Sequence, residues 1–264
     1  MAKVRYERSG AAAVLTIDRP ERRNAVDAET ADLLLDGFRG FEAEDEARVL
    51  VLTGAGPKAF CAGADLKAIA EAGSRTTLED AIEAVSERPE GPMGFTRLAA
   101  SKPTIAAISG WCLAGGLELA LWCDLRIATE TARLGYPERR WGVPLIDGGT
   151  QRLPRIVGQG RALEMILTGR IVEAPEALEW GLVNEVVPPE RHIDRALELA
   201  EGLASFPQQT MLSDRRAAIE GSGLPLEQAL QLEADLGLAS IETGIRGAAR
   251  FAAGEGRHGK GAGA

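Results

Sequence analysis

The sequence predicts an α/β fold in which parallel or near-parallel strands are covered by helices, with a separate helical module after them. Three observations predict it. The runs RVLVLTG (48–54) and PTIAAISG (103–110) are short and continuously apolar, as strands buried on both faces are. Segments with apolar residues at helical spacing separate such runs, and strand–helix alternation builds a parallel sheet with ligands near strand ends. Beyond Pro188 strand signals stop and helical spacing alone continues.

The chain opens with two strands, 4–8 and 13–18, joined at Ser9 and Gly10 as a hairpin. Over 28–44, Ala31, Leu34, Phe38 and Phe41 form the apolar stripe of a helix that leads into the strand at 48–54. The polar, acidic stretch 71–90 reads as a mobile helix and loop before the strand at 103–110, and a third core strand follows at 125–128. Helices are expected at 193–205, 208–220, 225–240 and 241–253. Stripes such as Leu226, Ala229, Leu230 and Leu236 would pack either on the core or on a neighbouring subunit. The closing GEGRHGKGAGA is too glycine-rich for a core and is expected to be a solvated tail, with Arg257 and Lys260 free to meet an anionic ligand.

A chain of 264 residues is long enough for one large core, or a core with an appendage. Its formal net charge of −9 repels nucleic-acid backbones and anionic membranes, so neither is expected as a general partner. The N-terminal MAKVRYERSG has no apolar signal region and no run reaches bilayer length, which makes the cytoplasm the expected location. Cys61, Cys112 and Cys123 lack CxxC spacing and read as buried reduced thiols. His192, in a polar helix start, and His258, in the tail, are poor material for a triad or a metal cluster. Acid–base work therefore falls to carboxylates.

The stretch GWCLAGGLELAL (110–121) sets Gly115 and Gly116 after an apolar strand and brings Glu118 into the turn that opens a helix. Glycines admit a ligand oxygen to main-chain N–H groups and a helix N-terminus favours negative charge, so oxyanion chemistry competes here with plain close packing. FCAGADLK (60–67) repeats the design with Ala62, Gly63 and Ala64, and two such segments would offer N–H groups to one oxygen from opposite sides. A third segment, 135–158, carries Glu138 after a turn proline and Asp147 before paired glycines. Three acids near glycine turns at strand ends favour a cleft.

Taken in order, DRPERRNAVD (18–27), FCAGADLK, ISGWCLAGGLELALWCDLRIA (108–128), LGYPE (134–138), GGTQRLPRIVG (148–158) and LTGRIVEAPEALEWGLVNEVVP (167–188) give almost the whole chain a resemblance to the enoyl-CoA hydratase/isomerase (crotonase) superfamily. The resemblance implies a spiral of ββα turns over 1–190 holding a CoA-thioester site, a helical trimerisation region over 191–253, and a flexible tail over 254–264. It also implies a homotrimer, or a hexamer built as a dimer of trimers. By position, the N–H groups of Ala64 and Gly115 would hold the thioester oxygen. Arg22, Arg23, Ala25, Ala62, Asp65 and Leu66 would bind the CoA portion, although the two arginines also read as solvated loop cations. Glu118 would take a proton from the adding water and Glu138 would give one to the α-carbon. No metal or redox cofactor is implied, CoA being part of the substrate.

One departure bears on the reaction. Where hydratases commonly carry PGAGGTQRL, this chain has PLIDGGTQRL, which places Ile146 and Asp147 beside the presumed reacting carbons. Ile146 would narrow or dry the water seat. Asp147 falls at, or one residue from, an additional catalytic acid of the dienoyl-CoA isomerase branch, and it would equally cap a helix beginning at Gly148. The expected activity is hydration of the 2,3 double bond of an enoyl-CoA; isomerisation using Asp147, or acyl-CoA binding without turnover, are the alternatives. Met93, Phe95, Trp111, Tyr136 and Trp141 are candidates for the acyl pocket, each also explained by core packing, and the region 68–97 would shape acyl choice. Cys61, beside one glycine turn but without a histidine partner, is expected to be structural.

Overall fold

The computed structural model describes residues 2–74, 77, 79, 80, 83 and 86–255; the tail residues Arg257, His258 and Lys260, and part of the stretch 71–90, lie outside the described residues. The chain divides into two compact units, Met1–Ala200 and Glu201–Ala264.

In the first unit, β1 (Val4–Ser9) and β2 (Ala12–Ile17) form the antiparallel hairpin. The helix α1 (Ala28–Ala43) begins where the Asp27 side chain accepts from the Thr30 N–H at 2.9 Å, and it buries Ala31, Leu34, Phe38 and Phe41, the stripe that its spacing predicts. Each later turn of the chain then gives one long strand and one short one. These are β3 (Val49–Gly54) with β4 (Ala59–Cys61), followed by α2 (Leu66–Gly73); β5 (Thr104–Ile108) with β6 (Trp111–Leu113), followed by α3 (Gly115–Trp122); and β7 (Leu125–Thr129) with β8 (Arg133–Gly135). The helices α4 (Gly149–Val157) and α5 (Gln159–Thr168), the strand β9 (Ile171–Glu173), α6 (Ala174–Glu179) and β10 (Glu185–Val187) complete the unit.

The long strands pair in parallel after β2 and, with the three-residue β10, give a six-stranded sheet of order β1-β2-β3-β5-β7-β10. The short ones make a second sheet, β4-β6-β8-β9. This is the spiral of ββα turns that the resemblance implies. Read from the residues alone, the short strands pass for glycine turns, because three residues show no alternation and their pairing is wholly non-local.

The core fills the space between sheets and helices. Every residue of β3 and of β5 is buried. Every residue of α3 is buried as well, so it has no polar face and behaves as a core helix. Phe38 and Phe95 stack with centroids 5.2 Å apart, and Trp122 meets both rings edge-on. Phe95 is thus a core ring rather than the pocket wall it was a candidate for. His192, at the start of α7 (His192–Ala204), is also buried; among the described residues neither ring nitrogen has a partner, and burial pushes its pKa down.

The unit Glu201–Ala264 holds α8 (Gln208–Glu220), α9 (Leu226–Leu238) and α10 (Ile241–Ala252), at nearly the expected bounds. Ser213 donates to the Leu236 carbonyl at 2.8 Å, and Thr243 to the Gln209 side chain at 2.7 Å. Leu226, Leu230, Leu238, Ile241, Ile245 and Phe251 are all exposed in the single chain.

One side chain ties the loop after β2 to the rest of the first unit. Asn24, fully buried, accepts from the Arg19 N–H at 3.0 Å and donates to the carbonyls of Ala55 at 3.1 Å and Ala59 at 2.7 Å. Asn24→Ala strands a buried N–H and two carbonyls, and should destabilise the fold by about 2–4 kcal/mol. Denaturant unfolding followed by circular dichroism measures it; an unchanged midpoint would show that the loop is held by other contacts.

Candidate active site

The parallel register of β4, β6 and β8, with Cys61 opposite Cys112 and Leu113 opposite Gly135, sets three carboxyl ends side by side. Open α/β folds bind ligands at such an edge. The segments that leave it are those singled out in the sequence: Ala62 to Ala64, Ala114 with Gly115, and Tyr136 to Glu138. The two glycine segments meet, since a Cβ on Gly63 would stand 3.1 Å from the Gly115 nitrogen. Ala114 turns the chain from strand to helix with φ of +52°, and its carbonyl accepts from Leu117 and Glu118 at 2.9 and 3.1 Å. Among the described residues, neither the Ala64 nor the Gly115 N–H donates to a protein acceptor.

Glu118 is 2% exposed, and its Oε1 accepts from the N–H groups of Asp147 at 3.0 Å and Gly149 at 2.8 Å. Burial nevertheless pushes its pKa up to about 7, with the charges of Asp147 and Glu138 adding to the effect and the two N–H groups opposing it. Glu138, on the 3-10 turn Pro137–Trp141, is 5% exposed; among the described residues neither of its oxygens has a partner, and burial pushes its pKa up to about 7 too.

Asp147 lies at the same place but is held differently. Its Oδ1 accepts from the Met93 N–H at 3.0 Å and from the Thr96 hydroxyl, while burial raises its pKa. The capping role is corrected: α4 starts at Gly149 with Gly148 as its cap residue and no side-chain cap bond, because the carboxylate reaches across to 93–96 instead. Two arginines not singled out in the sequence fasten the same loops. Arg97 donates to the Ile146 carbonyl at 2.9 Å, and Arg152 to the carbonyls of Asp147 at 2.9 Å and Thr96 at 2.5 Å. Arg152 sits inside the GGTQRL motif; Thr96 and Arg97 carry no local signal at all. Ile146 keeps an exposed side chain.

The remaining candidates divide. The Ala62 N–H donates to the Arg23 carbonyl at 3.0 Å and the Val26 N–H to the Gly63 carbonyl at 2.9 Å, so the 22–25 loop and the AGAD turn adjoin. Arg22, Arg23 and Leu66 are exposed there, Ala62 is half-buried and Ala25 is buried. The Asp65 carboxylate is engaged, accepting from Arg19 at 3.0 Å and capping α2 through the Lys67 and Ala68 N–H groups. Cys61 is buried and its thiol is pushed up to about 12 by burial, so it stays protonated. Of the aromatic candidates besides Phe95, Tyr136 is buried, Trp111 half-buried under Arg133, and Trp141 exposed. Met93 is buried, its sulfur 2.7 Å from where a Cβ on Gly115 would stand.

The family model described as Enoyl-CoA hydratase/isomerase matches residues 7–252, a span that contains every group named above. The chain belongs to the enoyl-CoA hydratase/isomerase family. It is similar to the (E)-benzylidenesuccinyl-CoA hydratase of Thauera aromatica, with 38% identity over 227 residues covering 86% of each chain. It is likewise similar to the short-chain-enoyl-CoA hydratase of Clostridium acetobutylicum, with 37% identity over 87% of this chain and 85% of the other. The solved structure of an enoyl-CoA hydratase from Bacillus anthracis matches with a TM-score of 0.83 at 36% identity, over 91% of this chain and 92% of that one.

The raised acids make stability depend on pH. A carboxyl whose folded pKa is about 7 against an ordinary 4.5 favours the fold fully only below 4.5; the benefit is lost as pH rises, and the curve is flat above 7. Glu118→Gln keeps an acceptor for both N–H groups and removes the buried charge. It should be more stable than the parent at pH 8 by about 1–3 kcal/mol, with no gain at pH 4. Melting curves across that range test this, and a gain independent of pH would mean that burial does not raise this acid.

Proposed function

We propose that the protein is an enoyl-CoA hydratase, adding water across the 2,3 double bond of an enoyl-CoA thioester through an oxyanion-stabilised enolate. The observation that carries this reading is the meeting, at one strand edge, of two N–H groups without acceptors among the described residues and two buried carboxyls with pKa near 7. The named relatives, both hydratases, support it.

The chemistry follows from the charges. Water attacks the β-carbon while electrons move to the thioester oxygen, where the Ala64 and Gly115 N–H groups meet the developing charge; one such donor is worth about 3 kcal/mol. Glu118, fixed by two N–H donors, takes the proton from water as the C–O bond forms. Glu138 then gives its proton to the α-carbon. One carboxyl has to be ionised while the other is protonated, and two buried neighbouring acids near neutrality reach that state together. The CoA portion is read onto Arg22, Arg23, Ala25, Ala62, Asp65 and Leu66, of which Asp65 contributes by holding the turn rather than through a free carboxylate. The reaction so read uses no cofactor beyond the CoA of the substrate.

Isomerisation and binding without turnover are not favoured. Asp147 already accepts from Met93 and Thr96, which supports a positioning role over that of an extra acid, and the burial of both Glu118 and Glu138 supports turnover over binding alone. The reading includes a cytoplasmic location, supported by three buried free thiols, and assembly into trimers or hexamers, supported by the exposed apolar residues of α9 and α10. No helix among the described residues is long and apolar enough to cross a membrane.

A panel of short, long, branched and aromatic enoyl-CoAs should yield products heavier by one water. Glu118→Gln and Glu138→Gln should each lower kcat by about 10²–10⁴, whereas Asp147→Asn, which keeps an acceptor oxygen, should stay within about tenfold of the parent. Unhydrated, isomerised products, or saturable binding without turnover, would sink the hydratase reading. Because the active form needs one acid ionised and one protonated, kcat/KM should trace a narrow bell centred near pH 7; a plateau from pH 5 to 9 would contradict that division of roles. Light scattering should give a multiple of the 28.0 kDa chain, and a monomeric mass would remove assembly from the reading.

A further inference from the structure

Tyr136 ends β8's run into the site, directly before Pro137 and Glu138. It is 1% exposed, yet among the described residues its hydroxyl has no hydrogen-bond partner. Hydroxyls buried to this degree are ordinarily paired. Its surroundings indicate what the partner is. A Cβ on Gly149 would stand 2.6 Å from the Tyr136 hydroxyl oxygen and 3.0 Å from Glu118 Oε1, so these oxygens are under about 6 Å apart without bonding each other. One oxygen hydrogen-bonded to both groups can span a separation of that order. Any side chain at 149 would intrude on both groups. Burial, with the charges of Glu118 and Glu138, raises the phenol well above its ordinary range, so the hydroxyl keeps its proton and can donate.

We propose that the Tyr136 hydroxyl, together with Glu118, seats the water that adds to the substrate, a role that rests on the hydratase reading. The water's bonds then account for themselves. One lone pair accepts from Tyr136 and the other attacks the β-carbon. One hydrogen points to Glu118, which receives it as the C–O bond forms, and the second stays on the product hydroxyl. The π electrons pass to the thioester oxygen and return when Glu138 protonates the α-carbon. Proton exchange with solvent restores both acids, and Tyr136 keeps its proton throughout.

Tyr136→Phe separates this role from a structural one. The same site should exchange the α-hydrogens of a saturated acyl-CoA for deuterium in D2O, using Glu138 and the two N–H groups but no attacking water. The variant should lose at least about tenfold in kcat for hydration, with KM and the exchange rate each within about twofold of the parent. Its melting temperature should not fall by more than a degree or two, because the ring is kept and no protein group loses a hydrogen-bond partner. Unimpaired hydration, or equal losses in hydration and exchange, would overturn the proposal while leaving the hydratase reading in place. A parent protein that exchanges but hydrates nothing would remove that reading and the water seat with it.

Discussion

A methyl group at position 116 would stand 2.2 Å from the Cys61 carbonyl oxygen, so α3 can lie against β4 only because that residue is glycine. The rest of the site inherits this contact. It brings the start of the helix that carries Glu118 against the carboxyl end of the neighbouring strand, and it places the Gly115 N–H beside the AGAD turn. A displacement of an ångström there would misalign donors that act only at a fixed position. The positive φ of Ala114 belongs to the same arrangement: a backbone held in a sparsely populated region at the point where the strand gives way to the helix.

Much of this was legible in the sequence, and the reason is local. The stripe of α1, the runs of β3 and β5 and the closing helices all state their burial in the spacing of their own residues. The three acids and the glycine turns were legible because glycines next to a carboxylate at a strand end are chemically unusual. What escaped depends on partners far along the chain. Thr96 and Arg97 act through Asp147 and the Ile146 carbonyl, some fifty residues away, and β4, β6 and β8 exist only as neighbours of one another. The burial of His192 escaped for the same reason, since a polar flank says nothing of what folds over the ring.

The two glutamates show how burial alone can leave like groups in different circumstances. Glu118 is gripped by two main-chain donors supplied by the α4 loop, and Asp147 in turn ties that loop to 93–96, so the orientation of the acid is set before any ligand arrives. Such preorganisation spares the reaction the cost of aligning the group. The Ile146–Asp147 pair that sets this loop apart in sequence is therefore first a fastening: its main chain holds Glu118 and its carboxylate holds the facing loop.

Glu138 has no such fastening among the described residues, where neither of its oxygens meets a donor. A change at that position leaves no main-chain group orphaned, whereas a change at Glu118 to a residue with no acceptor oxygen releases two buried N–H groups into the core. One corner of the site is thus bound up with folding and the other is not. In a lineage that accumulates substitutions, the unfastened corner is where new chemistry can be tried without first losing the protein.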